Sequence, residues 1–122
     1  MDFNKIIWGT PIPSDNRKED AVIKQIKHYV EKKLKNALYE KNWGGGVFEE
    51  SGVPDIYIHY KGKLFCVEAK RPNGKNQPTP LQVYQLEKRI KTGDIGIVAF
   101  TLEDVRKVIE EYERRIQNYE KL

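Results

Sequence analysis

Residues 52–70 run Gly52-Val53-Pro54-Asp55-Ile56-Tyr57-Ile58-His59-Tyr60-Lys61-Gly62-Lys63-Leu64-Phe65-Cys66-Val67-Glu68-Ala69-Lys70. Two β-prone segments, 55–60 and 64–70, flank Lys61-Gly62-Lys63, and this arrangement predicts an antiparallel hairpin. Side chains alternate along a strand, so Glu68 and Lys70 share one face, about 6.6 Å apart. A charged pair is unusual there. Phe65, Cys66 and Val67 mark an inner strand, where a charge is unfavourable unless paired or bound to a metal. Asp55 opens the partner strand directly after Pro54, whose fixed φ holds the backbone entering that strand. One register of the hairpin sets Asp55 beside Glu68.

Upstream of the hairpin, residues 47–50 read as a further short strand behind the Gly44-Gly45-Gly46 run. A helix is expected from about Asn16 to just before Asn42, with Val22, Ile26, Tyr29, Leu34 and Leu38 recurring at three-to-five-residue steps among lysines. The first 17 residues, which contain Trp8, Pro11 and Pro13, show no sustained period and read as an irregular N-terminal arm; residues 18–122 form a single domain. Downstream, residues 71–78 form a loop, and Thr79-Pro80-Leu81-Gln82 has the form of a capping box that opens a second helix, ending at Thr92-Gly93. Residues 95–100 form an apolar run with the length of a buried strand. Thr101 then caps a last helix with Val105, Ile109, Tyr112, Ile116 and Tyr119 on one stripe. The element order is α-β-β-β-α-β-α, which specifies an α/β domain with a mixed β-sheet flanked by helices.

The bulk numbers agree with one folded domain. The chain has 122 residues, 39% hydrophobic and 33% charged. No segment reaches the roughly 20 apolar residues a membrane span requires, and the N-terminus lacks the apolar run of a signal peptide; a cytoplasmic protein is expected. Cys66 is the sole cysteine, which excludes an internal disulfide and a cysteine-based zinc cluster within one chain. Net charge is +4, from 22 Lys and Arg against 18 Asp and Glu, a mild excess compatible with a polyanionic partner.

Two carboxylates and an ammonium at one place suit phosphodiester hydrolysis by metal-activated water. Mg²⁺ or Mn²⁺ prefers oxygen ligands and keeps several waters, so Asp55, Glu68 and the Ala69 carbonyl suffice as protein ligands. Lys70 then orients the attacking water or neutralises charge on the phosphate. With these residues in place, the sequence resembles the PD-(D/E)xK nucleases: Gly52-Val53-Pro54-Asp55, a glycine-bearing hairpin, then Glu68-Ala69-Lys70. Gly74 and Thr79-Pro80-Leu81-Gln82 resemble the VRR-NUC branch of that superfamily, over roughly residues 52–100.

The resemblance implies a restriction-endonuclease-like core and a divalent-metal-dependent DNA endonuclease. Stand-alone phage and bacterial relatives act on branched DNA such as four-way (Holliday) junctions and assemble as dimers or larger oligomers. It also implies a site role for Gln82, which the capping box explains equally well, and a metal-completing glutamate on the first helix. Ile23 occupies the usual place of that glutamate; Glu19, one turn earlier, is favoured, with Asp20 beside it as the alternative.

Arg71, Lys75, Lys61 and Lys63 are the candidate contacts to DNA phosphates, with Lys88 a further one. Glu49 and Glu50 are reserve carboxylates. His28 and His59 lack metal-ligand spacing and read as structural. A homodimer through the stripe of the last helix would place two sites symmetrically for two cuts. Two alternatives stay open: a non-catalytic module that binds DNA structure or protein on the same fold, and a nickase targeted by a partner.

Overall fold

The computed structural model describes residues 1–42 and 51–120. The elements are β1 (Ile7–Trp8), α1 (Glu19–Lys32), β2 (Leu38–Lys41), β3 (Ile56–Tyr60), β4 (Lys63–Ala69), α2 (Pro80–Ile90), β5 (Ile95–Ala99) and α3 (Leu102–Glu120). Among the described residues five strands form one mixed sheet in the order β1-β5-β4-β3-β2. β3 and β4 make the expected hairpin, with Tyr60 opposite Lys63 and a two-residue turn between them. Lys61 (φ 49°) and Gly62 (φ 74°) both take positive φ, as a turn matched to the sheet's twist demands. From β4 the chain crosses through α2 and returns as β5, parallel to β4.

Side-chain alternation divides the interior into two layers. Ile56, Ile58, Phe65, Val67, Ile95 and Ile97 pack beneath α1 and α3 against Val22, Ile26, Val105, Val108 and Ile109. On the opposite face Cys66, Val98 and Phe100 meet Leu86 of α2, with Tyr57 at the margin. Thr79 and Gln82 form the reciprocal capping box that opens α2. Thr101 and Asp104 do the same for α3, with Thr101 N donating to Asp104 Oδ2 at 3.0 Å and Asp104 N donating to Thr101 Oγ1 at 3.3 Å.

Two expectations change. The first helix stops at Lys32 instead of continuing to residue 41, and Asn36 turns the chain through a left-handed φ of 57°. Leu38–Lys41 then pairs antiparallel with Ile56–His59 as an edge strand. Leu34 and Leu38 imitate a helical repeat, but hydrogen bonds offered by β3 outweigh that local pattern. The N-terminal arm also joins the sheet: Ile7 and Trp8 pair in parallel with Ile97 and Val98. Residues 47–50 lie outside the described residues. Among the described residues, no helix is long and apolar enough to cross a membrane.

Candidate active site

The hairpin register pairs Ile56 with Val67, so Asp55, one step further, lies opposite Glu68. Both belong to the face on the α2 side of the sheet, because Ile56 and Val67 face α1 and α3. Gly52 adopts a left-handed φ of 79° where Leu81 approaches closely, and buried Gln85 of α2 reaches the Ser51 carbonyl at 3.4 Å. These contacts fix the turn from which buried Pro54 delivers Asp55. Ala69 N donates to Asp55 Oδ2 at 3.0 Å, which sets the carboxylate plane.

Glu68 is 1% exposed, and among the described residues its Oε2 has no hydrogen-bond partner. Lys70 Nζ stands 3.5 Å from Glu68 Oε1. Burial pushes the Glu68 carboxyl up to about 8; the neighbouring Asp55 charge adds to the rise and the Lys70 ammonium opposes it. A buried carboxylate beside a half-buried one in this position is poised for a cation.

Two further charges enter the cluster. Burial raises the Glu19 carboxyl, as does Asp55, while Lys70 and Lys41 lower it, so the first residue of α1 faces the same centre. Asp20 is exposed and lines a neighbouring recess. Lys41 Nζ lies 3.9 Å from Asp55 Oδ1 and donates to the Asn42 carbonyl at 3.2 Å. Lys41 was not among the sequence candidates, because the expected helix absorbed it; its place beside Asp55 follows from the pairing of β2 with β3.

The other candidates separate. Gln82 is engaged in the α2 cap, its Oε1 accepting from Thr79 N at 2.9 Å. The glutamine that α2 buries is Gln85, which also accepts from Arg89. Arg71 follows Lys70 directly, and its Nε is buried without a partner among the described residues. Lys75 is exposed on the adjoining loop, where Pro72 O accepts from Ile12 N at 2.8 Å and Gly74 (φ 78°) packs on Pro11. Lys61 and Lys63 belong to a different place. They cap the far end of the hairpin, where Lys63 pairs with Tyr60, five residues along β3 from Asp55 or about 17 Å, with Lys63 Nζ donating to Gly93 O at 3.0 Å and Lys61 over the Tyr60 ring. His28 is exposed on α1, and His59 pairs with Glu40 at 2.5 Å on the exposed side of β3. Glu49 and Glu50 lie outside the described residues.

Among the described residues, no three acidic, imidazole or thiol groups converge closely enough to enclose a metal ion. The donor set still fits a hard divalent cation, which takes one or two carboxylates and retains water. The buried Glu68 Oε2, which has no hydrogen-bond partner among the described residues, is the atom such an ion would satisfy.

No protein-family profile matches the sequence, and no curated protein sequence matches it. A solved structure named "VRR_NUC domain protein" superposes with a TM-score of 0.64, covering 80% of this chain and 89% of its own, at 19% identity. At that identity the likeness establishes a common fold: a mixed sheet flanked by helices, of the restriction-endonuclease-like kind.

Proposed function

We propose that this chain is a metal-dependent endonuclease that hydrolyses phosphodiester bonds in DNA, with Asp55, Glu68 and Lys70 at its centre. The observation that carries this reading is the buried Glu68 with an orphaned oxygen, opposite Asp55 and 3.5 Å from Lys70, on a fold shared with a protein named for a nuclease domain. Asp55 and Glu68 would hold Mg²⁺ or Mn²⁺, with the Ala69 carbonyl as a third donor and Glu19 of α1 acting from further out, through a water that the ion retains. The bound ion supplies a water of lowered pKa and charge to offset that on the phosphate.

The chain's own groups do the rest. Ala69 N–H orients Asp55, and Lys41 holds its other oxygen in an electropositive field. The Lys70 side chain, 12% exposed, keeps its ammonium within reach of a phosphate oxygen or attacking water while Glu68 fixes its position. Arg71 and Lys75, on the loop beyond Lys70, lie where the DNA backbone would pass. The substrate in this reading is branched duplex such as a four-way junction, cut by a homodimer that presents two sites.

The test is cleavage of a labelled four-way junction and a matched linear duplex in Mg²⁺, Mn²⁺ or EDTA, for the wild type and Lys70→Ala. Metal-dependent cutting that falls at least a hundredfold in the variant supports the assignment, and faster cutting of the junction supports branch selectivity. Binding of both DNAs with no cutting in either metal would leave a non-catalytic binding module.

A further inference from the structure

Beside the carboxylates, a recess of about 310 Å³ opens between α1 and β2, lined by Asp20, Ile23, Lys24, Lys27, Tyr39 and Lys41. It shares Lys41 with the candidate centre, where the same ammonium lies 3.9 Å from Asp55 Oδ1. Whatever enters the recess therefore lies beside the candidate centre. Its floor is apolar and aromatic, since Ile23 and Tyr39 both pack on the main core and are only partly covered. Its rim is basic. Lys24 and Lys27 stand one turn apart on the exposed face of α1, and neither makes an ion pair among the described residues. The lining carries Lys24, Lys27 and Lys41 against the single carboxylate of Asp20, a local surplus of positive charge, while Glu31 and Asp55 act on the Tyr39 hydroxyl.

We propose that this recess holds one unpaired nucleotide of the cleaved DNA strand, its base against Tyr39 and Ile23 and its phosphate between Lys24 and Lys27. The assignment rests on the nuclease reading and adds to it one unpaired nucleotide at the branch point, which a fork offers directly and a fully paired four-way junction only where a pair beside the branch opens. An aromatic floor with a basic rim is how proteins seat single-stranded nucleotides, since every base offers a π-face and every nucleotide a phosphate. The volume is at the small end of ligand pockets, roughly 300–1,000 Å³, which suits one base with its sugar and leaves no space for a base pair. Asp20 repels phosphate at its end of the recess and accepts hydrogen bonds from base amino groups, which places the phosphate at the Lys24–Lys27 end.

Binding in EDTA separates this proposal from cleavage. A labelled fork with an unpaired arm and a fully paired duplex of equal length are titrated with the full chain and followed by fluorescence anisotropy. The wild type is expected to prefer the fork by about tenfold, the size of one base–aromatic stack. Tyr39→Leu should erase that preference and Tyr39→Phe keep it. Lys24→Ala/Lys27→Ala should weaken the fork more than the duplex, and Lys107→Ala on α3 should affect both equally. Equal wild-type affinity for fork and duplex, or a preference that survives in Tyr39→Leu, overturns the proposal. Should Tyr39→Leu lose its melting transition, the lysine pair decides, and equal weakening of both DNAs is the contrary result. Metal-dependent cutting without any fork preference removes the recess assignment alone, whereas absence of all DNA binding removes the nuclease reading with it.

Discussion

Glu68 carries a conflict that the rest of the sheet does not share. It is buried where Leu64 and Cys66, on the same side of β4, make apolar contacts, and its carboxyl is pushed up to about 8 by that burial and by Asp55. The folded state therefore holds this proton more tightly than the unfolded state, whose carboxyl titrates near 4.5. Below that value both states are protonated and no penalty arises. As pH rises from there to about 8, the unfolded chain releases its proton first, so the metal-free protein loses stability across that window. Glu68→Gln removes the titration. In EDTA the variant should melt several degrees above the wild type at pH 8.5 and close to it at pH 4, read by circular dichroism. A wild-type melting temperature that does not fall between those pH values would contradict the strained carboxylate.

At the scale of elements, Gln82 and Asp104 show how a capping pattern both reveals and conceals. Thr79-Pro80-Leu81-Gln82 was legible because a capping box is a local signal, and the same signal accounts for Gln82 without any chemistry. If capping is its whole role, Gln82→Ala should lower stability by about 1 kcal/mol, as Thr79→Ala should, and slow cleavage no more than Thr79→Ala. A tenfold greater loss of activity in Gln82→Ala would return it to the site. Asp104 does more than cap α3. Its carboxylate accepts from Phe100 N at 2.8 Å, Thr101 N at 3.0 Å and Thr10 N at 3.0 Å, tying the N-terminal arm to the helix. Gly9 lies so close that a Cβ there would meet Asp104 Oδ2 at 2.1 Å and Val98 O at 2.8 Å. Asp104→Ala should destabilise by at least about 1–3 kcal/mol through the freed N–H groups and expose residues 10–18 to proteolysis; an arm as protected as in the wild type would show that β1 pairing alone retains it.

The same contrast explains what the sequence revealed of the whole molecule. The hairpin, the Glu68-Ala69-Lys70 strand and the crossover through α2 depend on neighbours within a few residues, and their patterns were readable. β1 and β2 are edge strands whose hydrogen-bond partners are β5 and β3, distant in the chain, and their short sequences do not announce those pairings. Missing β2 also hid Lys41 and Tyr39. The stripe of α3 was readable but largely serves the subunit itself: Val105, Val108 and Ile109 are buried, and Tyr112 packs edge-on to Phe65 at 5.4 Å and donates to Lys61 O at 2.9 Å. The part of the stripe left uncovered is the distal end, with Ile116 half-covered and Tyr119 77% exposed, and there the proposed homodimer would make its contact. Ile116→Glu/Tyr119→Glu should convert a dimer to monomer in sedimentation velocity; an unchanged dimer would move the contact to another face.

The most direct measurement of the central claim follows Mn²⁺ binding by electron paramagnetic resonance and DNA cleavage in the same samples of wild type and Glu68→Gln. The account predicts that the wild type binds Mn²⁺ and cuts, while the variant loses cutting and at least tenfold in Mn²⁺ affinity yet keeps its DNA affinity. Cleavage that persists in Glu68→Gln, or undiminished Mn²⁺ binding by that variant, would contradict it.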